Sequence, residues 1–365
     1  MKRSVWRYGG LAAALVAGGA LLLLPGHDAP PPVQTGPVRL AQAWPEARVG
    51  DVPAALSDGP AYSPSLFLDP QTSIGTAPSP EGTHQRLLRR EADGSFKELR
   101  RLSMNGTPQF GGFVSDGTTL AWAESTANAD GHAKTEMWAA ALAGAEPPRR
   151  LTADTGDVIF FVSEYDMVIE SGRLLWLAVS PDSAEITELR SVPLTGGDVT
   201  VQGEQGQWAL SRWPWLVSAG SGETGPVRVR DVVERRTTEV DTSASELVTC
   251  SPAWCRVQII ASDGPTRIDL MRPDGADRHR IAGAAASAAL IDVAVLDRFE
   301  VLGQTGTQGP ESSNQQLFLY DVRERGTVLV AEGVGMVQYR AGFLWWSTGL
   351  DTEVVWHALD LRTLT

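Results

Sequence analysis

Two acid-bearing clusters, Glu164-Tyr165-Asp166 and Asp297-Arg298-Phe299-Glu300, hold the residue types that general acid–base chemistry needs. Paired carboxylates at a suitable separation hydrolyse glycosides, one as acid and the other as base or nucleophile. Asp166, Asp297 and Glu300 are therefore the candidate catalytic residues. The competing reading is structural: Asp297 and Glu300 pair with Arg298, or with an arginine of a neighbouring sheet, and satisfy polar groups between layers. Tyr165, Arg298, Trp213, Trp345 and Trp346 are the candidate ligand-binding residues, since Trp213-Pro-Trp215 and Trp345-Trp346 could stack on a sugar ring. Tryptophan in repeated β-sheets more often packs between them.

Other chemistries find less support. The chain's two cysteines, Cys250 and Cys255, are separated by Ser-Pro-Ala-Trp between strand-like flanks, which predicts a disulfide-closed hairpin. A metal site would need two more ligands, and a redox pair normally has two residues between its cysteines. So short a closed loop should stabilise by only about 2 kcal/mol. The histidines, His27, His84, His132, His279 and His357, are scattered without metal-ligand spacing, and no nucleophile-elbow, zinc-protease or phosphate-loop motif occurs. His357, beside Trp356 in a strand-like run, reads as a packed or rim residue. Asn128-Ala-Asp130-Gly131 lacks the remaining ligands of a calcium loop, and Asn105-Gly106-Thr107 reads as a turn rather than a glycosylation acceptor. No metal and no cofactor is expected.

The N-terminus carries Lys2, Arg3 and Arg7, then an uncharged apolar stretch from Tyr8 to Leu24. A basic flank before an apolar run is an export signal, and a membrane span takes roughly 17 to 25 residues. No small-x-small cleavage site follows closely, so residues 1–25 are expected to be an uncleaved anchor, with a cleaved signal as the alternative. Residues 26–36 form a Pro-rich spacer and 37–365 the body, which stands outside the cytoplasmic membrane or is secreted. Net charge is −13, and three positive charges lie in the leader, so the body stands near −16 and nucleic acid is not an expected partner.

The body must be all-β, because from residue 60 onward short runs rich in Val, Leu, Trp, Phe and Thr alternate with Gly, Pro, Asp and Ser turns. A run, a turn and a second short strand return at intervals of about 40 to 50 residues, the period of a β-propeller blade. Seven runs fit the third strand of a four-stranded blade: His84 to Glu91, Thr135 to Leu142, Thr187 to Leu194, Pro226 to Val233, Thr266 to Pro273, Gln315 to Val322 and Glu353 to Asp360. Leu120-Ala-Trp-Ala, Leu174-Leu-Trp-Leu, Trp215-Leu-Val and Phe343-Leu-Trp-Trp fit second strands, and Phe96 to Leu102, Arg149 to Thr152 and Thr327 to Ala331 fit outer ones. The seventh unit has no outer strand of its own. Val38 to Trp44 is expected to complete it and close a seven-bladed ring, with six blades possible if the Cys-containing fifth unit is irregular.

The units resemble repeats of TolB-type propellers. Ser115-Asp-Gly-Thr-Thr-Leu-Ala-Trp-Ala-Glu, Glu136-Met-Trp, Pro148-Arg-Arg-Leu-Thr and Ile268-Asp-Leu-Met-Arg-Pro-Asp-Gly-Ala-Asp-Arg follow that plan. The whole body is similar to actinobacterial exported TolB-like proteins of unassigned activity in Cys250-Ser-Pro-Ala-Trp-Cys-Arg, Asp292-Val-Ala-Val-Leu-Asp-Arg-Phe-Glu and Trp345-Trp-Ser-Thr-Gly. The resemblance implies an envelope protein that works by binding partners. With no catalytic motif, the expectation is a non-enzymatic module for an envelope protein or cell-wall glycan, the alternative being a glycan hydrolase or lyase.

Overall fold

Central strands such as Arg173–Val179 and Phe343–Thr348 are buried on successive residues, so each sheet has two faces to cover, and the chain meets this by arranging seven sheets in a ring. The computed structural model describes residues 36–127, 133–143, 146–219, 226–306, 315–350 and 353–365. Val38–Thr365 form one compact unit. The expected anchor, most of the spacer and Asn128-Ala-Asp130-Gly131 lie outside the described residues. Among those described, no helix is long and apolar enough to cross a membrane.

Blades 1 to 6 occupy residues 63–103, 109–152, 157–205, 208–240, 246–283 and 286–332 in chain order. Every run expected as a third strand is one: His84–Arg90, Ala133–Ala141, Ile186–Pro193, Val227–Asp231, Gly264–Met271, Gln315–Asp321 and Val355–Asp360. Blade 5 has all four strands, with register shifts at Ile259/Ile260 and Ile268/Asp269, and its Glu246–Cys250 and Cys255–Ala261 strands meet at the Cys250–Cys255 disulfide, whose residues are register partners. Asn105 and Gly106 form a turn, with Gly106 at φ +92°.

Blade 7 contains Val337–Arg340, Phe343–Thr348 and Val355–Asp360, and takes its fourth strand from the chain's beginning. That strand is Val49–Pro53, not Val38 to Trp44. Val38–Arg39 pairs parallel with Val328 and Leu329 on the outer edge of blade 6, and Leu40–Ala43 turns into a short helix. Trp44 then packs edge-on against Phe299 of blade 6, ring centroids 5.8 Å apart, so this stretch is committed to blade 6 before the chain reaches blade 7. In Val49–Pro53 the inward residues are Gly50 and Val52. Gly50 is required because a Cβ there would stand 1.9 Å from the Pro70 carbonyl oxygen. His357 clamps the same pairing: its Nδ1 lies 2.7 Å from an Asp51 carboxylate oxygen, its Nε2 lies 2.7 Å from Thr348 Oγ1, and the ring stacks on Trp346.

Buried apolar clusters fill all seven gaps between neighbouring blades, including that between blades 7 and 1, where Val52, Trp345 and Trp356 meet Tyr62, Phe67 and Leu88. Trp122, Trp176, Trp208 and Trp345 are essentially inaccessible. Burying one such side chain stabilises by about 2 to 3 kcal/mol, so the stacked blades supply most of the folding energy. Gly50→Val is expected to destabilise the protein by at least about 2 kcal/mol through overpacking at the closing strand, while Val49→Ala, on its exposed face, changes little. Chemical denaturation of both variants checks this; equal stability would remove Gly50 from the closure.

Candidate functional site

The first strands of the blades face the ring axis; that of blade 3 is interrupted, and that of blade 6 is followed by a long connection to its second strand. In blade 3 that strand is split into Asp157–Val158 and Met167–Glu170, both paired with Arg173–Val179, and residues 159–166 leave the sheet between them. In blade 6, Ala286–Ala288 and Phe299–Thr305 pair, and residues 289–298 form a second excursion. Both excursions hold non-glycine residues in the left-handed region: Val162 at φ +64°, Ala294 at +47°, Leu296 at +57° and Asp297 at +54°. A β-branched residue there is a genuine outlier, kept only where its surroundings over-determine it.

Those surroundings are hydrogen bonds across the axis. Ser163 Oγ donates to Asp292 Oδ1 at 2.5 Å, and the Glu164 amide donates to Asp292 Oδ2 at 3.0 Å. Blades 3 and 6 stand on opposite sides of the ring, so these bonds can only cross its centre. Arg340 of blade 7 donates to the carbonyl oxygens of Phe113 in blade 2 at 2.6 Å and of Ser163 and Glu164 in blade 3 at 3.1 and 3.3 Å. Glu164 in turn accepts from the Ala341 amide at 3.1 Å. The channel is thus closed by two loops and a guanidinium.

The sequence-expected site residues are distributed around this plug. Asp166 accepts from the Phe161 amide at 2.7 Å and closes the blade 3 loop. Glu300 is fully buried, bound to Arg256 of blade 5 at 2.6 Å and to the Ala294 amide at 2.7 Å. Asp297 forms a half-exposed ion pair with Arg212 of blade 4 at 2.6 Å. The two ion pairs follow the structural alternative, arginines of neighbouring blades, except that Asp297 reaches two blades back. Arg298 is bound to Asp321 at 2.7 Å and to the Leu364 carbonyl oxygen. Trp345 and Trp346 are core residues, and Trp213 packs at the junction of blades 3 and 4. Tyr165 is half-buried and stands next to Glu164 and Ser163, whose hydroxyl accepts from its amide at 3.0 Å.

A pocket of about 230 Å³ opens beside the plug, between blades 3 and 6. Of the expected residues it brings together Tyr165 and Asp297, and it adds Glu164, Ser211, Arg212 and Asp292. Arg340, Arg212, Arg256 and Ser163 were not legible as site residues, because nothing in their local sequence distinguishes them from surface or strand positions. Among the described residues no group of three or more His, Cys, Asp and Glu side chains is placed to hold a metal ion.

The plug is electrostatically unusual. Burial and the neighbouring negative charge of Asp292 push the Glu164 carboxyl up to about 7. Burial raises Asp166 to about 6 and also raises Asp292, and it lowers the Arg340 guanidinium. A carboxyl that holds its proton more tightly when folded contributes stability below its unfolded value, and that contribution is lost as pH rises through the folded value. For Glu164 the window runs from 4.5 to about 7. Glu164→Gln should therefore gain thermal midpoint relative to the parent at about pH 8 and less at about pH 5; a pH-independent difference would disprove the burial cost. Arg340→Met, which strips three carbonyls of their donor, should cost at least about 3 kcal/mol in urea unfolding, and a neutral result would mean that the plug does not bear on stability.

No family model matches the chain, and no curated protein matches it significantly. Solved structures similar to it include an oligogalacturonate lyase in complex with manganese, at 10% identity, 87% of this chain, 100% of that one and a TM-score of 0.49. A Mycobacterium tuberculosis puromycin-hydrolysing peptidase is 15% identical over 90% of this chain and 54% of its own, with a TM-score of 0.46. The β-propeller domain of the Trilobed protease from Pyrococcus furiosus is 12% identical over 67% of this chain and 79% of its own, with a TM-score of 0.43.

Proposed function

We propose that this chain is a non-enzymatic binding propeller, TolB-like in character, displayed outside the cytoplasmic membrane by its N-terminal segment or released there after cleavage, with an envelope protein or a cell-wall glycan as partner. The observation that carries the reading is the commitment of the candidate carboxylates. Asp166 is held by a backbone amide, Asp297 by Arg212 and Glu300 by Arg256, three separate structural duties rather than one acid–base pair aimed at a common point. Glycoside cleavage needs two carboxyl groups flanking one bond. The closed channel supports the same reading, since a polysaccharide cannot thread a ring whose centre is bridged by Asp292 and Arg340. The Cys250–Cys255 disulfide suits an oxidising compartment, as an exported chain would meet.

Binding then falls to the blade-connecting loops and the off-axis pocket, carried on a rigid scaffold. Mild crosslinking of the tagged full chain in its native cells, followed by recovery from envelope extracts, should return a reproducible protein partner or co-sediment with cell wall. Recovery of neither would refute the binding reading. So would turnover of wall polysaccharide by the purified protein that is lost in Asp297→Asn.

A further inference from the structure

The pocket beside the plug has a chemistry of its own. Its walls are largely apolar, with Leu210, Val217 and Val295 among them. Its ionisable lining is unbalanced: Glu164, Asp292 and Asp297 stand against Arg212 alone. Two buried guanidiniums stand behind the pocket and offset part of that charge, but their donors are committed, those of Arg340 to three carbonyls and those of Arg256 to Glu300 and the carbonyls of Ile291 and Asp292. Among the described residues, Asp292 has no cation within salt-bridge distance and accepts from a hydroxyl and an amide. Burial, together with the neighbouring charge of Asp292, raises the Glu164 carboxyl.

Two details identify what would enter. The Arg212–Asp297 pair is about half exposed, 54% and 41% for the two side chains. Such pairs are worth about 0 to 1 kcal/mol, so Asp297 can exchange Arg212 for another cation at little cost. Ser211 lines the pocket, is 4% exposed, and its hydroxyl makes no hydrogen bond to any described residue. That hydroxyl is open to the pocket rather than sealed in the core, so a ligand that displaces solvent there must donate to it or leave its acceptor unsatisfied. An anion could use only Arg212 and would face the Asp297 carboxylate and the acidic side chains of Asp292 and Glu164. A neutral alkyl group would leave Ser211 unsatisfied.

Resting on the binding reading above, we propose that this pocket takes an aliphatic ammonium group on an apolar stem, the ammonium replacing Arg212 on Asp297 and donating to Ser211, the stem lying against Leu210, Val217 and Val295. A lysine-type side chain of a partner chain and a free aliphatic amine share this chemistry. The left-handed backbone at Leu296 and Asp297 fits the same role, because it fixes the carboxylate at the pocket edge against a local conformational cost.

Calorimetric titration of the full chain in detergent, with n-pentylamine, n-pentanol and pentanoate as probes, tests it. Pentylamine should bind at least about tenfold more tightly than either of the others, the range of one charge-assisted hydrogen bond. Asp297→Asn should bring pentylamine down to pentanol's affinity, and Arg212→Gln, which removes the competitor, should strengthen it; the second variant guards against a folding defect in the first. Nα-acetyl-lysine amide binding more tightly than pentylamine would identify a partner's side chain, and the reverse order a free amine. Equal binding of all three probes, or an amine preference that survives Asp297→Asn, would overturn the proposal. Capture of an envelope partner without any amine preference would remove this proposal and leave the binding reading in place.

Discussion

Everything in this molecule depends on ring closure, because each blade is apolar on both faces and none can bury both without a neighbour on either side. Six of the seven interfaces form between blades that follow one another in the chain. The last must join the end of the chain to its beginning, and Val49–Pro53 does so by pairing with Val355–Asp360. Val52 enters the cluster between blades 7 and 1, the Trp356 indole donates to the Tyr62 carbonyl, and His357 bridges to Asp51. Hydrogen bonding and apolar burial thus meet at one short strand. A sheet edge that would otherwise stand open is paired within the chain.

Closing the ring creates the second problem, an interior where backbone polar groups find little water. Five blades meet it with first strands that return directly into their second strands, bulged in blades 1 and 2. Blade 3 splits its first strand and blade 6 inserts a long connection after its own, and both excursions must be satisfied from elsewhere. Asp292 and Arg340 supply the missing acceptors and donors from across the axis. The raised carboxyl groups of Glu164, Asp166 and Asp292 follow from this duty: they are charges drawn inside to hold loops, and burial makes ionisation costly there. Perturbed ionisation often marks catalysis, and here a structural demand accounts for it.

How much of this was legible in the sequence follows from how local each feature is. Third strands such as Gln315–Asp321 and tryptophan-bearing second strands such as Phe343–Thr348 are written in short apolar runs and turn residues a few positions apart. The disulfide was legible for the same reason. The closing strand was legible as a need but not as a segment. Val38 to Trp44 has the better strand composition, whereas Val49-Gly-Asp-Val-Pro carries a glycine and a proline that argue against a strand in isolation. Gly50 belongs there only because Pro70, twenty residues on, leaves no room for a side chain. The plug was beyond reach. The acids at 164 to 166 and 297 to 300 stand out by type, but the contact of Arg340 with Phe113 spans 227 positions, and no local pattern announces it.

The position of the pocket is a consequence of the same asymmetry. A propeller with seven equivalent first strands would have an axial channel and no preferred side. Filling that channel with loops from blades 3 and 6 displaces the free space toward blades 4 and 5, which lie between them, and leaves it walled by Ser211 and Val217 on one side and by Val293 and Asp297 on the other. The strained residues Val162, Leu296 and Asp297 all belong to the two displaced loops. The stability of the stacked blades is what lets the chain hold them there, so the rigid part of the fold and the pocket are coupled through the plug rather than through any single blade.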